Sequence, residues 1–435
     1  MYNLISACGI LALLLLAWAV SPDRRQINGR VIAWGVGLQL LFAGVIFLVP
    51  ASRPVFSSIN DAAVAFIDAG QKGVVFLFGR LAYPPGTEGP EGESLGFFFF
   101  AQVLPVIIFF AAFVQLLYYL GVMQRIIRLF ARVLTRVMRI SGAEGLCAAS
   151  NIFVGVEAAT AIRPYLQKMT RSELCLVLTA GMATVASSVL AAYVGMLHRV
   201  FPEIAGHLIA ATIMSVPAAI VMAKLVMPET QTPETLGKNV PLAYERDPTA
   251  IDAVINGAMA GGRMIVSIAV LLVAFLGLVG VANLLLGTIG GWVHGGLGWK
   301  EAEWSLQNLF GWMFRPFAVL MGVPPADAGV VGKLLGERLI VTEAVAYPHL
   351  ANAMEEAIFT SPRSSVIAAY ALCGFAHVAS LAIFIGGVAG LVPERRADLS
   401  RVGPRALLAA TLACLMTGAV AGLFYHEGME NLLTH

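Results

Sequence analysis

Long apolar runs constrain this chain more than any other feature of its sequence. They cover residues 4–20, 31–50, 96–122, 173–198, 206–227, 262–290, 365–392 and 405–425. A helix needs about 20 apolar residues to cross the hydrocarbon core of a bilayer. We therefore predict eight membrane-spanning helices. The first run lacks a basic segment before it, so we expect a retained helix, with a cleaved signal peptide as the alternative.

The charge content supports a membrane protein. Charged residues make up 12% of the chain, about half of the 25% usual in soluble domains, so much of the apolar surface must face lipid. A net charge of +2 gives no reason to expect a nucleic-acid partner. The five cysteines lie in apolar segments and form no CxxC pair, so neither a disulfide framework nor a zinc site is indicated.

Two further apolar stretches, 143–166 and 308–350, are interrupted by glycine, proline and isolated carboxylates. Irregular backbone at membrane depth is tolerated where it is buried in protein or lines a wet cavity. We predict a re-entrant hairpin for each stretch. The fold class expected is thus an all-α polytopic membrane protein with eight transmembrane helices and two re-entrant hairpins.

Arginine placement predicts the orientation, because cytoplasmic loops are enriched in Lys and Arg. The segment 123–140 contains five arginines at helical spacing, which is typical of a basic amphipathic helix that lies on a membrane surface. The loop 393–405 and the loop after the first span are also basic, whereas 51–95 is acidic. We expect 51–95 to be a periplasmic loop, both termini to be outside, and the protein to be multi-pass in a bacterial inner membrane.

A short repeat predicts where a solute would bind. The segment Gly181-Met-Ala-Thr-Val-Ala-Ser187 matches Gly374-Phe-Ala-His-Val-Ala-Ser380 at five of seven positions. Each copy follows a predicted hairpin that carries one glutamate, and the expected topology makes the two units inverted. Inverted repeats with interrupted helices place solute sites near the bilayer midplane.

Glu157 and Glu343 are the carboxylates of these two hairpins. Ionisable groups inside a membrane are costly and usually functional, so we expect both to face a wet cavity and accept hydrogen bonds from a hydroxylated solute. The alternative is a structural pairing for each. His377 occupies the repeat position of Thr184 and is a candidate solute or proton ligand, and Phe375 can stack on a planar ring.

Motifs of other functional classes are missing from the sequence. It contains no Walker A motif, no His pair at i,i+4 and no Gly-x-Ser-x-Gly elbow. We therefore predict a transporter rather than an enzyme, with no organic cofactor. A channel, or a receptor or scaffold protein of the same fold without coupled transport, is the competing class.

Several ordered motifs resemble the concentrative nucleoside transporters. They are Gly121-Val-Met-Gln, Ser141-Gly-Ala-Glu, Asn151-Ile-Phe, Arg163-Pro-Tyr, Lys168-Met-Thr-Arg-Ser-Glu, Gly336-Glu-Arg-Leu-Ile-Val-Thr-Glu and Ala368-Ala-Tyr-Ala-Leu-Cys-Gly-Phe-Ala. The resemblance implies a homotrimer in which a transport domain moves past a scaffold as an elevator. It implies these divisions: 1–122, scaffold spans; 123–140, the cytoplasmic helix; 141–227, the first hairpin with spans four and five; 228–300, span six; 301–435, the second hairpin with spans seven and eight.

The resemblance also implies a set of solute-binding residues. They are Gly155, Val156, Glu157, Val189, Glu343, Phe375, His377 and Ser380. The chain departs from the family pattern at both hairpin tips and in span seven. The second hairpin reads Thr342-Glu343-Ala344 where the family has Asn-Glu-Phe. The first hairpin reads Gly155-Val156-Glu157 where the family has Gly-Gln-Thr-Glu, and His377 replaces an asparagine. Polar solute groups left without a partner cost about 1–3 kcal/mol each, so we expect altered selectivity among nucleosides, or a different polar solute.

The coupling ion is expected to be sodium, with a proton as the alternative. By resemblance, the sodium site lies between the first hairpin tip and span four, at Asn151, Val154, Thr184 and Val185. Proton coupling would act through His377 or Glu157. The function expected is an ion-coupled importer of nucleosides or nucleoside-like solutes.

Overall fold

Helices make up nearly all of the regular structure in a computed structural model of the chain, which describes residues 1–49, 52–84, 86–89, 92–244, 246–297 and 304–426. The α-helices are α1 (Tyr2–Ala19), α2 (Gly29–Leu48), α3 (Ser52–Phe78), α4 (Phe99–Gln102), α5 (Val106–Tyr119), α6 (Val122–Met138), α7 (Gly142–Ser150), α8 (Arg163–Leu166), α9 (Arg171–Ala183), α10 (Ser187–Leu197), α11 (Ile204–Val226), α12 (Ala250–Leu297), α13 (Leu306–Leu320), α14 (Ala328–Ile340), α15 (Glu343–Glu355), α16 (Pro362–Leu372), α17 (Val378–Leu391) and α18 (Arg396–Phe424). Short 3₁₀ helices cover Gly79–Ala82, Val156–Ile162 and Pro393–Arg395, and β1 (Glu88–Gly89) pairs antiparallel with β2 (Gly92–Glu93).

Eight helical segments of the described chain are long and apolar enough to cross a membrane, judged by length and composition. Seven of them coincide with predicted spans. The eighth, Asn60–Ala82, belongs to a region that we expected to be a loop, and the loop prediction for 51–95 is wrong where α3 forms. Two of the acidic residues that suggested a loop, Asp61 and Asp68, lie on this amphipathic helix with apolar residues between them.

Two predicted spans are each broken into two helices. The chain is extended at Thr184 and Ala186 between α9 and α10. The second break separates α16 from α17 and includes Gly374, whose φ is +155°. The breaks fall on the two copies of the sequence repeat and lie against each other, because a Cβ on Gly374 would be 2.9 Å from the carbonyl oxygen of Ala183. Interrupted helices thus meet in the interior of the protein.

Both hairpins are formed by short helices with well-defined caps. The first begins at Ser141, which forms a capping box with Glu144, continues through α7 and returns through the 3₁₀ helix and α8. The second turns at Thr342, whose hydroxyl accepts a hydrogen bond from the amide of Ala344 at 3.3 Å and caps α15. This hairpin begins later than the predicted 308–350, since α13 is a separate helix packed along α14.

The basic segment 123–140 is helical, as predicted. Met123, Ile127 and Leu134 bury one face of α6, while the five arginines are exposed. The division of this helix into an apolar face and a cationic face is the arrangement that suits the surface of an anionic membrane.

The helices pack as two groups. The broken helices and both hairpins surround α11 and α18 in one apolar core, which we call the hairpin body; α1 packs on α18 and α2 on α11. The second group is the pair formed by α5 and α12. Most of α12 is exposed outside its contact with α5. The interface between the hairpin body and this pair is called the seam below.

Candidate solute-binding site

A cavity of about 420 Å³ lies in the seam, where the hairpin tips meet α10 and α17 and face α5 and α12. The predicted solute-binding residues that line it are Gly155, Glu157, Val189, Glu343, Phe375, His377 and Ser380. The side chain of Val156 lies outside the part of the chain that the structure describes. Residues from both halves of the repeat therefore meet around a single cavity.

Glu343 is the best-defined polar group of this cavity. It is the first residue of α15, and the positive end of the helix favours a carboxylate there. The hydroxyl of Tyr193 donates a hydrogen bond to its Oε1 at 2.6 Å. The other oxygen, Oε2, is buried and has no hydrogen-bond partner among the described residues. A buried acceptor without a donor is costly, which makes Oε2 a position for a solute donor.

His377 faces this carboxylate from the opposite side. Its Nδ1 accepts a hydrogen bond from the amide of Ser380 at 3.1 Å and so caps α17. A ring nitrogen that accepts from an amide carries no proton, so in the neutral ring the proton is assigned to Nε2. Nε2 lies 3.5 Å from Oε2 of Glu343, longer than a hydrogen bond. The ring therefore fixes a helix end and presents a donor to the cavity.

Ser380 and Phe375 complete the wall formed by span seven. The hydroxyl of Ser380 bonds to the carbonyl oxygens of Phe375 and His377, so in this structure it serves the cap at the helix break. The ring of Phe375 is half-buried and stands edge-on to the imidazole, with 6.4 Å between centroids. It offers an apolar surface beside the polar groups.

Glu157 lies on the 3₁₀ helix after the first hairpin tip and is exposed to the cavity. It also lines a second cavity of about 550 Å³ that is bordered by Tyr118, Arg163 and Tyr244. The two cavities share Gly155, Glu157, Ala260 and Met264. Glu157 therefore stands where a solute would pass from one cavity to the other.

The predicted sodium residues lie where the first hairpin tip touches the break in span four. The amide of Ser187 donates to the carbonyl oxygen of Phe153 at 3.1 Å, which joins the two segments. Asn151 is buried, and its Oδ1 has no hydrogen-bond partner among the described residues. Thr184 is also buried and donates its hydroxyl proton to Ala180, so its oxygen keeps lone pairs.

These donors fit a sodium ion. Asn151 and Thr184 supply uncharged side-chain oxygens, and Val154 and Val185 would supply carbonyl oxygens, which are hard ligands suited to hard cations. Within the described residues, no group of three or more His, Cys, Asp or Glu side chains is placed to hold a metal. The orphaned Oδ1 of Asn151 is the observation that favours a cation at this tip.

Two of the cavity-wall residues that sequence reasoning missed are Tyr193 and Arg263. Tyr193 follows Val189 by one helical turn of α10, and this spacing could have indicated it. Arg263 lies on α12 and also lines the cavity. A single arginine near the start of the apolar run 262–290 was the available signal, because intramembrane charges usually mark functional positions.

Family models match most of the chain. The model described as "Na+ dependent nucleoside transporter N-terminus" matches residues 8–81, and the model described as "Na+ dependent nucleoside transporter C-terminus" matches residues 207–422. A model described as "Gate: Nucleoside recognition" fits residues 100–200, which contain the first hairpin and the break in span four.

Curated relatives match over nearly the full chain. An uncharacterized transporter of Haemophilus influenzae is 37% identical, covering 98% of this chain and 99% of the relative. The nucleoside permease NupC of Helicobacter pylori is 36% identical, covering 97% and 98%. Sodium/nucleoside cotransporter 1 of Rattus norvegicus is 35% identical, with 97% of this chain matching 64% of that longer protein.

Solved structures agree with the fold. CNTnw in an inward-facing substrate-bound state has a TM-score of 0.86 at 36% identity, covering 98% of both chains. A CNTnw variant in an outward-facing state has a TM-score of 0.84 at 34% identity and covers the same shares. The matched family and the named relatives are transporters and not enzymes, and eight long apolar helical segments of the described chain fit a multi-pass membrane protein. The chain belongs to the Na+-dependent, concentrative nucleoside transporter family.

Proposed function

We propose that this protein is a symporter that imports nucleosides across a bacterial inner membrane, with Na+ as the coupling ion. The observation that carries the proposal is the carboxylate of Glu343. Glu343 lines the cavity, Tyr193 holds one of its oxygens, and the buried Oε2 has no hydrogen-bond partner among the described residues. Vicinal hydroxyls of a ribose are donors of the kind that this oxygen requires.

The cavity also suits the rest of a nucleoside. Its volume of about 420 Å³ is within the range of small-molecule sites. Phe375 and Val189 supply apolar walls for a planar base. Glu157 approaches from the other hairpin, so one solute can touch both halves of the repeat.

An elevator motion is the proposed mechanism of access. The cavity lies in the seam, so its walls belong to two groups of helices, and sliding the hairpin body along α5 and α12 would expose the solute to one side and then to the other. We propose that the eight predicted spans are the transmembrane helices, with spans four and seven interrupted, and that α3 is an amphipathic helix outside this count. The two re-entrant hairpins belong to an inverted repeat. Part of the exposed apolar surface of α12 is assigned to contacts in a homotrimer, and the rest to contacts with lipid.

The domain division 1–122, 123–140, 141–227, 228–300 and 301–435 is part of this proposal. Its boundary at 300–301 lies outside the described residues. In the structure α1 and α2 pack on the hairpin body, which is the proposed moving part, although the proposal assigns them to the scaffold. A measurement of whether they move with the hairpin body therefore tests this division.

The test is uptake of radiolabelled uridine and inosine by proteoliposomes that contain the purified protein. We expect saturable accumulation driven by an inward Na+ gradient at equal pH on both sides. Accumulation in choline medium that a protonophore abolishes would support proton coupling instead. Binding without accumulation under either gradient would support a receptor, and no binding of any nucleoside would favour a different polar solute.

A variant locates the ion. Thr184→Val removes one of the two side-chain oxygens proposed to bind the ion and keeps the side chain's volume. We expect the Na+ concentration for half-maximal uptake to rise about tenfold, because a cation loses one oxygen ligand. Ser188→Ala, on the next turn after the same break, is the matched control. An unchanged Na+ dependence in Thr184→Val would place the ion elsewhere.

A further inference from the structure

Arg263 brings a positive charge to the solute cavity from the side of α12. The residues of α12 on this wall recur at helical spacing and include Ala260, Arg263, Ser267 and Leu271. Arg263 and Ser267 are the polar side chains that this helix contributes. The other polar side chains that line the cavity lie on the hairpin body.

The guanidinium of Arg263 has no partner within the protein as described. Across the described residues, no carboxylate forms an ion pair with it and no side-chain hydrogen bond involves it. An arginine in an apolar span carries a substantial insertion penalty, and such residues face cavities or partners. A solute bound in the cavity is therefore the expected hydrogen-bond partner of Arg263.

Glu157 has the complementary property. Its side chain is exposed to the same cavity, and among the described residues no donor is bonded to its carboxylate. An ionised carboxylate only accepts hydrogen bonds, and a guanidinium only donates them. A ligand bound between the two must offer a donor to Glu157 and acceptors to Arg263.

We propose that Arg263 and Glu157 select nucleosides whose base carries a lactam edge, the –CO–NH– unit of uracil and hypoxanthine. The ring N–H donates to Glu157, and the adjacent carbonyl oxygen accepts from the guanidinium of Arg263. The ribose then points to Glu343 and His377 on the hairpin body. This inference rests on the proposed nucleoside function and names the class of nucleoside that the site takes.

The pair of Arg263 and Glu157 explains how a protein with a shortened first hairpin can still recognise a nucleobase. The tip has Val156 before Glu157 and lacks the amide and hydroxyl that the resembling family carries. A planar fork of five donors on the opposite wall restores hydrogen bonds to a carbonyl oxygen. Adenine presents an amino group and a ring nitrogen on this edge, so it offers the guanidinium the weaker acceptor.

The experiment compares inosine with purine riboside, which lacks the lactam oxygen and the N–H but keeps the ribose and the ring system. Calorimetry on the purified full-length protein gives the ratio of the two dissociation constants. We expect inosine to bind at least about tenfold more tightly, as charged hydrogen bonds warrant. In Arg263→Met the ratio should fall to within about threefold of unity. In Thr288→Ala, which lies on the same helix outside the cavity lining, the ratio should remain as in the wild type.

Each other outcome is decisive. Equal affinities in the wild type, or an unchanged ratio in Arg263→Met, would overturn the inference and leave the nucleoside function standing. Failure of the wild type to bind any nucleoside would remove the proposed function and this inference with it. If Arg263→Met does not fold, Arg263→Lys keeps the charge but lacks the fork, and its ratio should lie between those of the wild type and unity.

Discussion

At the scale of single residues, the two oxygens of Glu343 have unequal surroundings, and this inequality leads to the first prediction. Glu343→Gln keeps the shape but replaces the charged Oε2 with a neutral group, so affinity for uridine or inosine should weaken by about 1.5–3 kcal/mol, the range for charged hydrogen bonds. Isothermal calorimetry measures the change. Unaltered affinity would remove Glu343 from the solute site.

Tyr193→Phe is the matched control for this prediction. It deletes the hydroxyl that holds Oε1 and leaves Oε2 for the solute. We expect a smaller loss of affinity, about 0.5–1.5 kcal/mol, because one supporting hydrogen bond disappears and the charge remains. A loss equal to that of Glu343→Gln would mean that Tyr193 itself contacts the solute.

His377 leads to the second prediction, a pH dependence of solute affinity. The neutral ring accepts the amide of Ser380 at Nδ1, and protonation fills that nitrogen and breaks the cap of α17. Free histidine titrates near pH 6.5, and the cap requires the neutral ring, so affinity should stay constant above about pH 6.5 and decline only as the pH falls below that value toward 5.5. His377→Asn keeps an oxygen acceptor for the cap and does not titrate, so its affinity should be flat over this range.

Solute affinity measured at four or five pH values for both proteins provides the comparison. Parallel curves with the same ranking of uridine, inosine and adenosine would show that His377 is a packing and capping residue only. Altered selectivity would then have to originate at the shortened first hairpin tip or at Arg263.

The carboxylates of the site could be predicted from the sequence because they interrupt apolar runs, where charge is conspicuous. Tyr193 could not be singled out in the same way, because aromatic residues are ordinary in membrane helices and its role depends on a partner 150 positions away. Arg263 was visible as a charge, but its assignment to the cavity required knowing which face of α12 is turned inward.

At the scale of elements, the breaks in spans four and seven determine where the hairpin tips and helix ends meet. The third prediction concerns Gly374, which has φ of +155° and stands against span four. A Cβ there would lie 2.6 Å from Sγ of Cys414 and 2.9 Å from the carbonyl oxygen of Ala183. Gly374→Ala should therefore destabilise the protein by about 1–3 kcal/mol through overpacking and an unfavourable backbone conformation.

Thermal unfolding of the detergent-purified protein measures this effect. Gly386→Ala is the control, because Gly386 lies within α17 and a Cβ there has open space around it. That variant should be neutral or slightly stabilising, as expected for alanine in a helix interior. Equal melting temperatures for the two variants would show that the break tolerates a side chain.

Element prediction succeeded where a pattern repeated and failed where hydropathy alone was used. The matched segments around Ser187 and Ser380 occupy equivalent places in the structure, each in the first turn of a helix that follows a break. The breaks themselves were not predicted, because the apolar runs continue through them without a change in composition. Helix α3 was missed for the opposite reason: its charges were read as a loop, although a helix can place them on one face.

At the scale of the whole molecule, the seam separates two bodies that the proposed mechanism moves against each other. The fourth prediction uses Val106 of α5 and Ala191 of α10, which are buried in one small apolar cluster across the seam. In a background with the exposed Cys8 replaced, the pair Val106→Cys and Ala191→Cys should cross-link on oxidation. Uptake should then stop and recover after reduction, while solute binding by the locked form persists.

Each single cysteine variant serves as a control and should retain uptake after oxidation. Full uptake by the cross-linked double variant would contradict sliding at the seam. Repeating the design between α1 and α18 tests a different boundary, since those helices pack together. If they move as one body, a cross-link there should leave uptake unaffected.

The unusual length of α12 has a consequence for the surrounding lipid. Exposed apolar side chains occur from Ile251 to Ile289, which at 1.5 Å per residue span about 57 Å of helix. The hydrocarbon core of a bilayer is only about 30 Å thick. A continuous helix whose apolar stretch exceeds this thickness can keep that stretch inside the hydrocarbon core by tilting away from the bilayer normal. The tilt angle then depends on the thickness of the membrane. Arg263, near one end, changes depth as that angle changes. The length of the lipid acyl chains should therefore influence solute binding from a distance. We expect inosine affinity in nanodiscs to differ between short-chain and long-chain phospholipids. Identical affinities would show that contacts with neighbouring helices fix the tilt of α12.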